Sequence, residues 1–172
     1  MSMKDNIKIE KVVLSIAGPG EKLERGVKLL KLITGMQPIK IASTKRIPSL
    51  GVRPGLEIGC KITLRKEKIA PTLKRLLHAI NNEFKDSSVK ENHFSFGIKE
   101  YIEIQGIEYQ RDIGIMGLNV TVDFVRPGKR IIRKKIKAGK IPRRQDVKKE
   151  EIIEYIKKNF NVKIKEKEVK NG

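Results

Sequence analysis

The sequence predicts an α+β fold: a mostly antiparallel sheet backed by helices, with a projecting hairpin loop and a basic arm. Three observations lead there. β-branched segments and segments with helical apolar spacing follow one another as strand, helix, two strands, helix, several strands, helix. Residues 43–55, STKRIPSLGVRPG, hold two prolines, two glycines, three bases and no acid, as a long exposed loop between two strands would. Residues 126–149 carry twelve Lys/Arg against one acid, Asp146, and too few apolar residues for a core of their own.

Ile7 to Ile16 is rich in β-branched residues and reads as the first strand, ended by Gly18-Pro-Gly20. In Glu21 to Thr34, Leu23, Val27, Leu30 and Thr34 share one helical stripe, acids occupy the first turn, and Gly35 suits the stop. Ile39 to Ala42 and Leu56 to Leu64 are strands joined by the 43–55 loop as a long-armed hairpin. Glu67 to Phe84 places Ile69, Leu73, Leu76, Leu77, Ile80 and Phe84 on one helical face, with Pro71 tolerable only in the first turn. Phe94 to Ile98, Tyr101 to Ile104 and Gly117 to Val125 read as strands. The segment from Arg126 is expected to be an irregular arm that folds on a polyanion. Asp146 is a candidate cap for a last helix whose stripe is Ile152, Ile153, Ile156 and Phe160, and the tail from Lys163 should fray. The expected organisation is a single domain over 1–172, with its core in about 7–125 and 146–164.

Charge decides the class of partner. The 172 residues carry a formal net charge of +19, and 126–149 alone supply +11 of it. A run of five or six charges would read as a solvated loop; this density points to contact with a polyanion, nucleic acid or an anionic membrane surface. No apolar run is long enough to span a bilayer, and the polar start lacks a signal-peptide hydrophobic segment, so the expected location is the cytoplasm. Cys60 is the only cysteine, which excludes an internal disulfide and a multi-cysteine zinc site and fits a reducing compartment.

Chemistry is sparse. Gly18-Pro-Gly20 lacks the third glycine of a dinucleotide fingerprint, Leu23 standing in its place, and reads as a tight turn into a helix. His78 and His93 are the only histidines and have no cysteine pair to complete a metal site. Cys60, inside an apolar strand, reads as an inert core residue. Phe94-Ser-Phe-Gly-Ile98 could suggest a base-stacking strand, but aromatics are 5% and Trp is absent, so core packing is the better reading. No cofactor, metal or catalytic set is expected.

Thr34-Gly-Met-Gln-Pro38, Ile58-Gly-Cys-Lys-Ile-Thr-Leu-Arg65, Phe94-Ser-Phe-Gly-Ile-Lys-Glu-Tyr-Ile102, Ile113-Gly-Ile-Met-Gly-Leu118 and Arg126-Pro-Gly128 occur in an order and spacing that resemble the 5S-rRNA-binding family of large-subunit ribosomal proteins, number five in the bacterial scheme. The basic arm and Val147-Lys-Lys-Glu-Glu151 resemble its archaeal and eukaryotic branch, over about Ile7 to Ile164. The resemblance implies a concave antiparallel sheet bound to 5S rRNA and large-subunit rRNA at the central protuberance of the ribosome, beside neighbouring large-subunit proteins, with the hairpin loop reaching peptidyl-site tRNA.

Carried onto this chain, it matches Thr63 to a family threonine at the 5S rRNA contact, with Lys61 and Arg65 flanking it in the same strand and Ser15 and Gln37 at further candidate contacts. The arm's charge density adds Arg130, Arg133, Lys134, Lys135, Lys137, Lys140, Arg143 and Arg144 as expected rRNA contacts. Lys45, Arg46 and Arg53 fall in the tRNA-facing loop. Two positions depart from the family pattern: Ser15 stands where Asn is usual, and Met36 where Gln is usual, with Gln37 one step along. A Ser keeps donor and acceptor but reaches less far than Asn. Two other classes compete with this structural role, a DNA-coating compaction protein and an enzyme acting on RNA; the second lacks a carboxylate cluster or a histidine pair.

Overall fold

The structure is a computed structural model that describes residues 6–165, the side chains of Arg144, Ile164 and Lys165 excepted. Its strands are β1 (Lys8–Ala17), β2 (Ile39–Ala42), β3 (Glu57–Leu64), β4 (Glu83–Lys85), β5 (Val89–Lys90), β6 (His93–Ile98), β7 (Leu118–Val125) and β8 (Lys163–Lys165). Its helices are α1 (Glu21–Thr34), α2 (Ile69–Ala79), α3 (Arg130–Arg133) and α4 (Lys149–Phe160). Six strands form one sheet in the order β2-β3-β1-β7-β6-β5, and every neighbouring pair is antiparallel. The expected α+β class and antiparallel sheet are what the chain adopts.

Alternation along the strands sends one set of side chains into the core. Val12, Leu14 and Ile16 of β1 lie beside Cys60, Ile62 and Leu64 of β3 and Val120, Val122 and Phe124 of β7, and all are buried. Helices α1, α2 and α4 cover this face: Leu23, Leu29, Leu30 and Ile33 of α1, Leu73, Leu76 and Leu77 of α2, and Ile152 and Ile156 of α4 belong to the same apolar cluster. Phe94 stacks between Phe84 and Phe96, at centroid distances of 5.4 and 5.9 Å. The aromatic strand therefore packs inward, as its sequence suggested. Helix α1 stops where Gly35 takes the left-handed conformation and donates its N–H to Lys31 O at 2.8 Å.

Four elements differ from the sequence reading. The apolar stripe running to Phe84 outlasts its helix: α2 ends at Ala79, because Asn81 and Asn82 turn the chain through left-handed conformations, which Asn tolerates. Phe84 reaches the core from β4 instead. Tyr101–Glu103 is a 3-10 turn, not a strand; Tyr101 and Ile104, three apart, are both buried, and the Tyr101 hydroxyl accepts the Gln110 N–H at 2.9 Å. Asp146 does not cap α4. The Lys148 N–H is taken by Glu151 Oε2 at 3.1 Å, while Asp146 Oδ1 accepts Asn92 Nδ2 at 3.1 Å. Lys163–Lys165, expected to fray, pairs in parallel with β4, and the tail beyond it lies outside the described residues.

Phe94→Ala removes the ring that joins Phe84, Phe96 and Phe124. We expect it to lower unfolding free energy by about 3–5 kcal/mol in urea titrations. Ser95→Ala, on the exposed side of the same strand, should stay within about 0.5 kcal/mol.

Candidate nucleic-acid interface

The sheet face without helices is polar. Register places Lys61, Ser15, Asn119 and Gly97 in one row across β3, β1, β7 and β6, and Thr63, Val13, Thr121 and Ser95 in the next. Lys11 and Asp123 pair across β1 and β7 at 2.9 Å, with His93 beside Asp123 in the register. Ser15, Lys61 and Thr63, far apart in sequence, thus become neighbours on one surface of short hydroxyls and amides. Arg65 follows β3 at one end of this face, and Gln37 is exposed in the connection into β2.

At the opposite end of β3 stands the hairpin. Ser43 closes its neck: its N–H donates to Leu56 O at 2.8 Å, its carbonyl accepts Gly55 N–H at 2.8 Å, and its hydroxyl donates to Lys45 O at 2.8 Å. Nearer the tip, Ile47 and Val52 exchange both backbone bonds, at 2.9 and 3.1 Å, around a 3-10 turn over Pro48–Leu50. Gly51 ends that turn with φ 65°, where a side chain would be strained. The loop is therefore a closed, self-bonded finger. It holds Lys45, Arg46 and Arg53 exposed, and its tip residue Leu50 is 71% exposed.

The arm is anchored at both ends. Arg126 Nη2 meets both Glu151 oxygens at 2.6 Å, tying its start to the first turn of α4. Asn92 ties down its end, since its Oδ1 accepts the Val147 N–H at 2.8 Å and its own N–H donates to Val147 O at 3.0 Å. Val147 itself is fully buried, and Lys149 pairs with Asp86. Between these anchors the chain forms α3 and folds back, Gly139 N–H reaching Ile131 O at 3.3 Å. The segment expected to be irregular is thus a fastened loop. Arg130, Arg133, Lys134, Lys135, Lys137, Lys140 and Arg143 are exposed on it; the Arg144 side chain is outside the described set.

Sequence reasoning missed Asn119, Thr121 and Ser95 on the open face, and Glu10 and Lys129 at the root of the arm. The alternation in Leu118-Asn-Val-Thr-Val-Asp-Phe-Val125 marks the first two as outward, but only the strand order reveals that they flank Ser15 and Val13. Among ionisable groups, Lys40 is held above its ordinary value by its hydrogen bond to Glu57 and then by that carboxylate's charge. Burial pushes the Cys60 thiol up, which keeps it protonated and poorly nucleophilic. Among the described residues no group of His, Cys, Asp and Glu could hold a metal, and no helix is long and apolar enough to cross a membrane.

A model of the C-terminus of the ribosomal protein L5 family matches residues 57–155. Similar over most of their length are proteins named large ribosomal subunit protein uL5 from three archaea. The Nanoarchaeum equitans protein is 43% identical over 92% of this chain and 95% of its own. The Methanosphaera stadtmanae protein is 41% identical over 88% and 90%, and that of Sulfolobus acidocaldarius 41% over 90% and 88%.

Asn92→Ala should unfasten the arm's end. Leaving the Val147 N–H without its acceptor is expected to cost about 1–3 kcal/mol in urea unfolding, and limited trypsin digestion should cut within 126–149 faster than in the parent protein.

Proposed function

Because the chain belongs to the ribosomal protein L5 family, in its archaeal branch, and is a structural, non-enzymatic constituent of the large ribosomal subunit, we propose that its open sheet face and basic arm bind 5S rRNA and large-subunit rRNA at the central protuberance, and that its hairpin contacts peptidyl-site tRNA. One observation carries the reading: finger, polar face and arm succeed one another along β3, with Arg53 before the strand, Lys61 and Thr63 on its open side, and Arg65 just past its end sharing Glu10 with the arm's Lys129 and Arg133. An eight-residue strand extends about 26 Å, enough to separate two RNA-binding ends by several nucleotides.

The division of labour follows from chemistry. Arm side chains neutralise phosphates and release counterions, which supplies affinity without reading sequence. Ser15, Thr63, Asn119 and Thr121 offer hydroxyls and an amide at fixed strand spacing, suited to 2′-hydroxyls and to the shape of an A-form minor groove. Phe94 and Phe96 point into the core, so neither is a stacking platform on this face. The finger presents Lys45, Arg46 and Arg53 from a preformed turn, which lowers the ordering cost of meeting a second RNA. Neighbouring large-subunit proteins complete the expected partners.

5S rRNA binding should fall steeply with salt. Replacing Lys134, Lys135, Lys137 and Lys140 by Ala should cost more affinity than Thr63→Val and flatten the log–log salt slope by about 3–4, the share of four phosphate contacts. The wild-type protein should prefer 5S rRNA to duplex DNA and sediment with large ribosomal subunits at moderate salt. Equal binding at low and high salt would count against this electrostatic mechanism, and equal affinity for duplex DNA without cosedimentation would favour the DNA-coating reading instead.

A further inference from the structure

The carboxylate of Glu10 sits where RNA-binding charge is concentrated, and its placement is unusual. Strand β1 carries a bulge between Ile9 and Lys11, so Glu10 is an extra residue between one facing the core and one on the open face. Its side chain is 8% exposed and both oxygens are closed off from solvent. A carboxylate so desolvated is tolerable only with cations beside it. Three are present: Arg65 Nη1 from the end of β3 at 3.6 Å, Lys129 Nζ at 3.3 Å, and Arg133 Nη2 from α3. Glu10 is thus where the sheet and the root of the arm are joined.

The cations are only half used. Arg65, Lys129 and Arg133 remain 52%, 40% and 53% exposed while held from beneath. A guanidinium has five donors in a planar fork, so one edge can engage Glu10 while another faces outward. We propose that Glu10 is a positioning residue for RNA binding: a buried counter-anion that holds Arg65 and Arg133 side by side, outer edges free, as a preformed clamp for adjacent phosphates of one RNA backbone. The inference rests on the RNA-binding reading above. Its energetic logic is preorganisation, because long side chains fixed before encounter lose less entropy on binding.

The sign of one measurement separates this role from simple electrostatics. Removing an acid from a surface that binds a polyanion strengthens binding if charge alone matters. As a positioning residue, Glu10→Gln should instead weaken 5S rRNA binding by roughly tenfold, despite the gained positive charge, through loss of preorganisation. In a double-substitution cycle, Glu10→Gln with Arg133→Ala should bind no worse than the weaker single variant. Arg133→Ala and Lys134→Ala each remove one charge from the arm, yet the first should cost severalfold more. That comparison decides the matter even if Glu10→Gln fails to fold. Unchanged or tighter binding by a folded Glu10→Gln variant, or equal losses for Arg133→Ala and Lys134→Ala, would overturn the proposal. Wild-type protein that binds 5S rRNA no better than duplex DNA would instead sink the functional reading beneath it.

Discussion

The one-sided burial of the six-stranded sheet is the constraint on which the rest of this structure depends. Strand β1 is paired on both sides, to β3 and β7, and its inward residues Val12, Leu14 and Ile16 meet inward residues of both neighbours. A slip of one residue in either pairing would bury Lys61 or Asn119 and expose Ile62 or Val120. The cost of that exchange fixes the register. The same register aligns Ser15 with Lys61 and Asn119 on the other side, so the polar surface is positioned by the packing of a core it does not touch. With α1, α2 and α4 packed on the inner face, that surface is free of them.

Projecting parts depend on the sheet through a few polar junctions. Finger and arm sit beyond opposite ends of β3, and each is closed by hydrogen bonds at its base, through Ser43 in the finger and through Asn92 and Glu151 in the arm. Neither has an apolar core of its own. Holding the two ends of a flexible segment removes much of its freedom, while leaving the basic side chains between them in water, where they are available to phosphate.

Much of this was legible in the sequence, and the misses have identifiable causes. Helix α1, strands β2 and β3, and the inward Phe94 follow from local periodicity and turn residues, which act within a few positions. The overlong α2 reading shows periodicity outrunning backbone preference: Ile80 and Phe84 keep the helical spacing, but Asn81 and Asn82 redirect the chain. Tyr101-Ile-Glu-Ile104 misled because its aromatic and β-branched residues suit a strand, whereas Tyr101 and Ile104, three apart and both buried, share one side of a turn. Asp146 looked like a cap only because its partner, Asn92, is 54 residues away. The candidate RNA-facing residues named from sequence were the basic ones and those the family resemblance supplied. Asn119 and Thr121 needed strand order, and Glu10 needed the bulge.

The acids clarify how a chain of net charge +19 stays compact. Self-repulsion is greatest where the arm leaves and rejoins the fold, and it is there that carboxylates are placed: Glu10 against Lys129 and Arg133, Glu151 against Arg126, Asp86 against Lys149. The arm's own acid, Asp146, is turned inward to Asn92 rather than toward the basic surface. Acids scattered evenly along the arm would lower repulsion equally well but would also oppose phosphate at each step. Concentrating them at the junctions stabilises the attachment and leaves the outer span of the arm, from Lys134 to Arg143, without a negative charge. Compactness and attraction for a polyanion are therefore reconciled by position rather than by net charge.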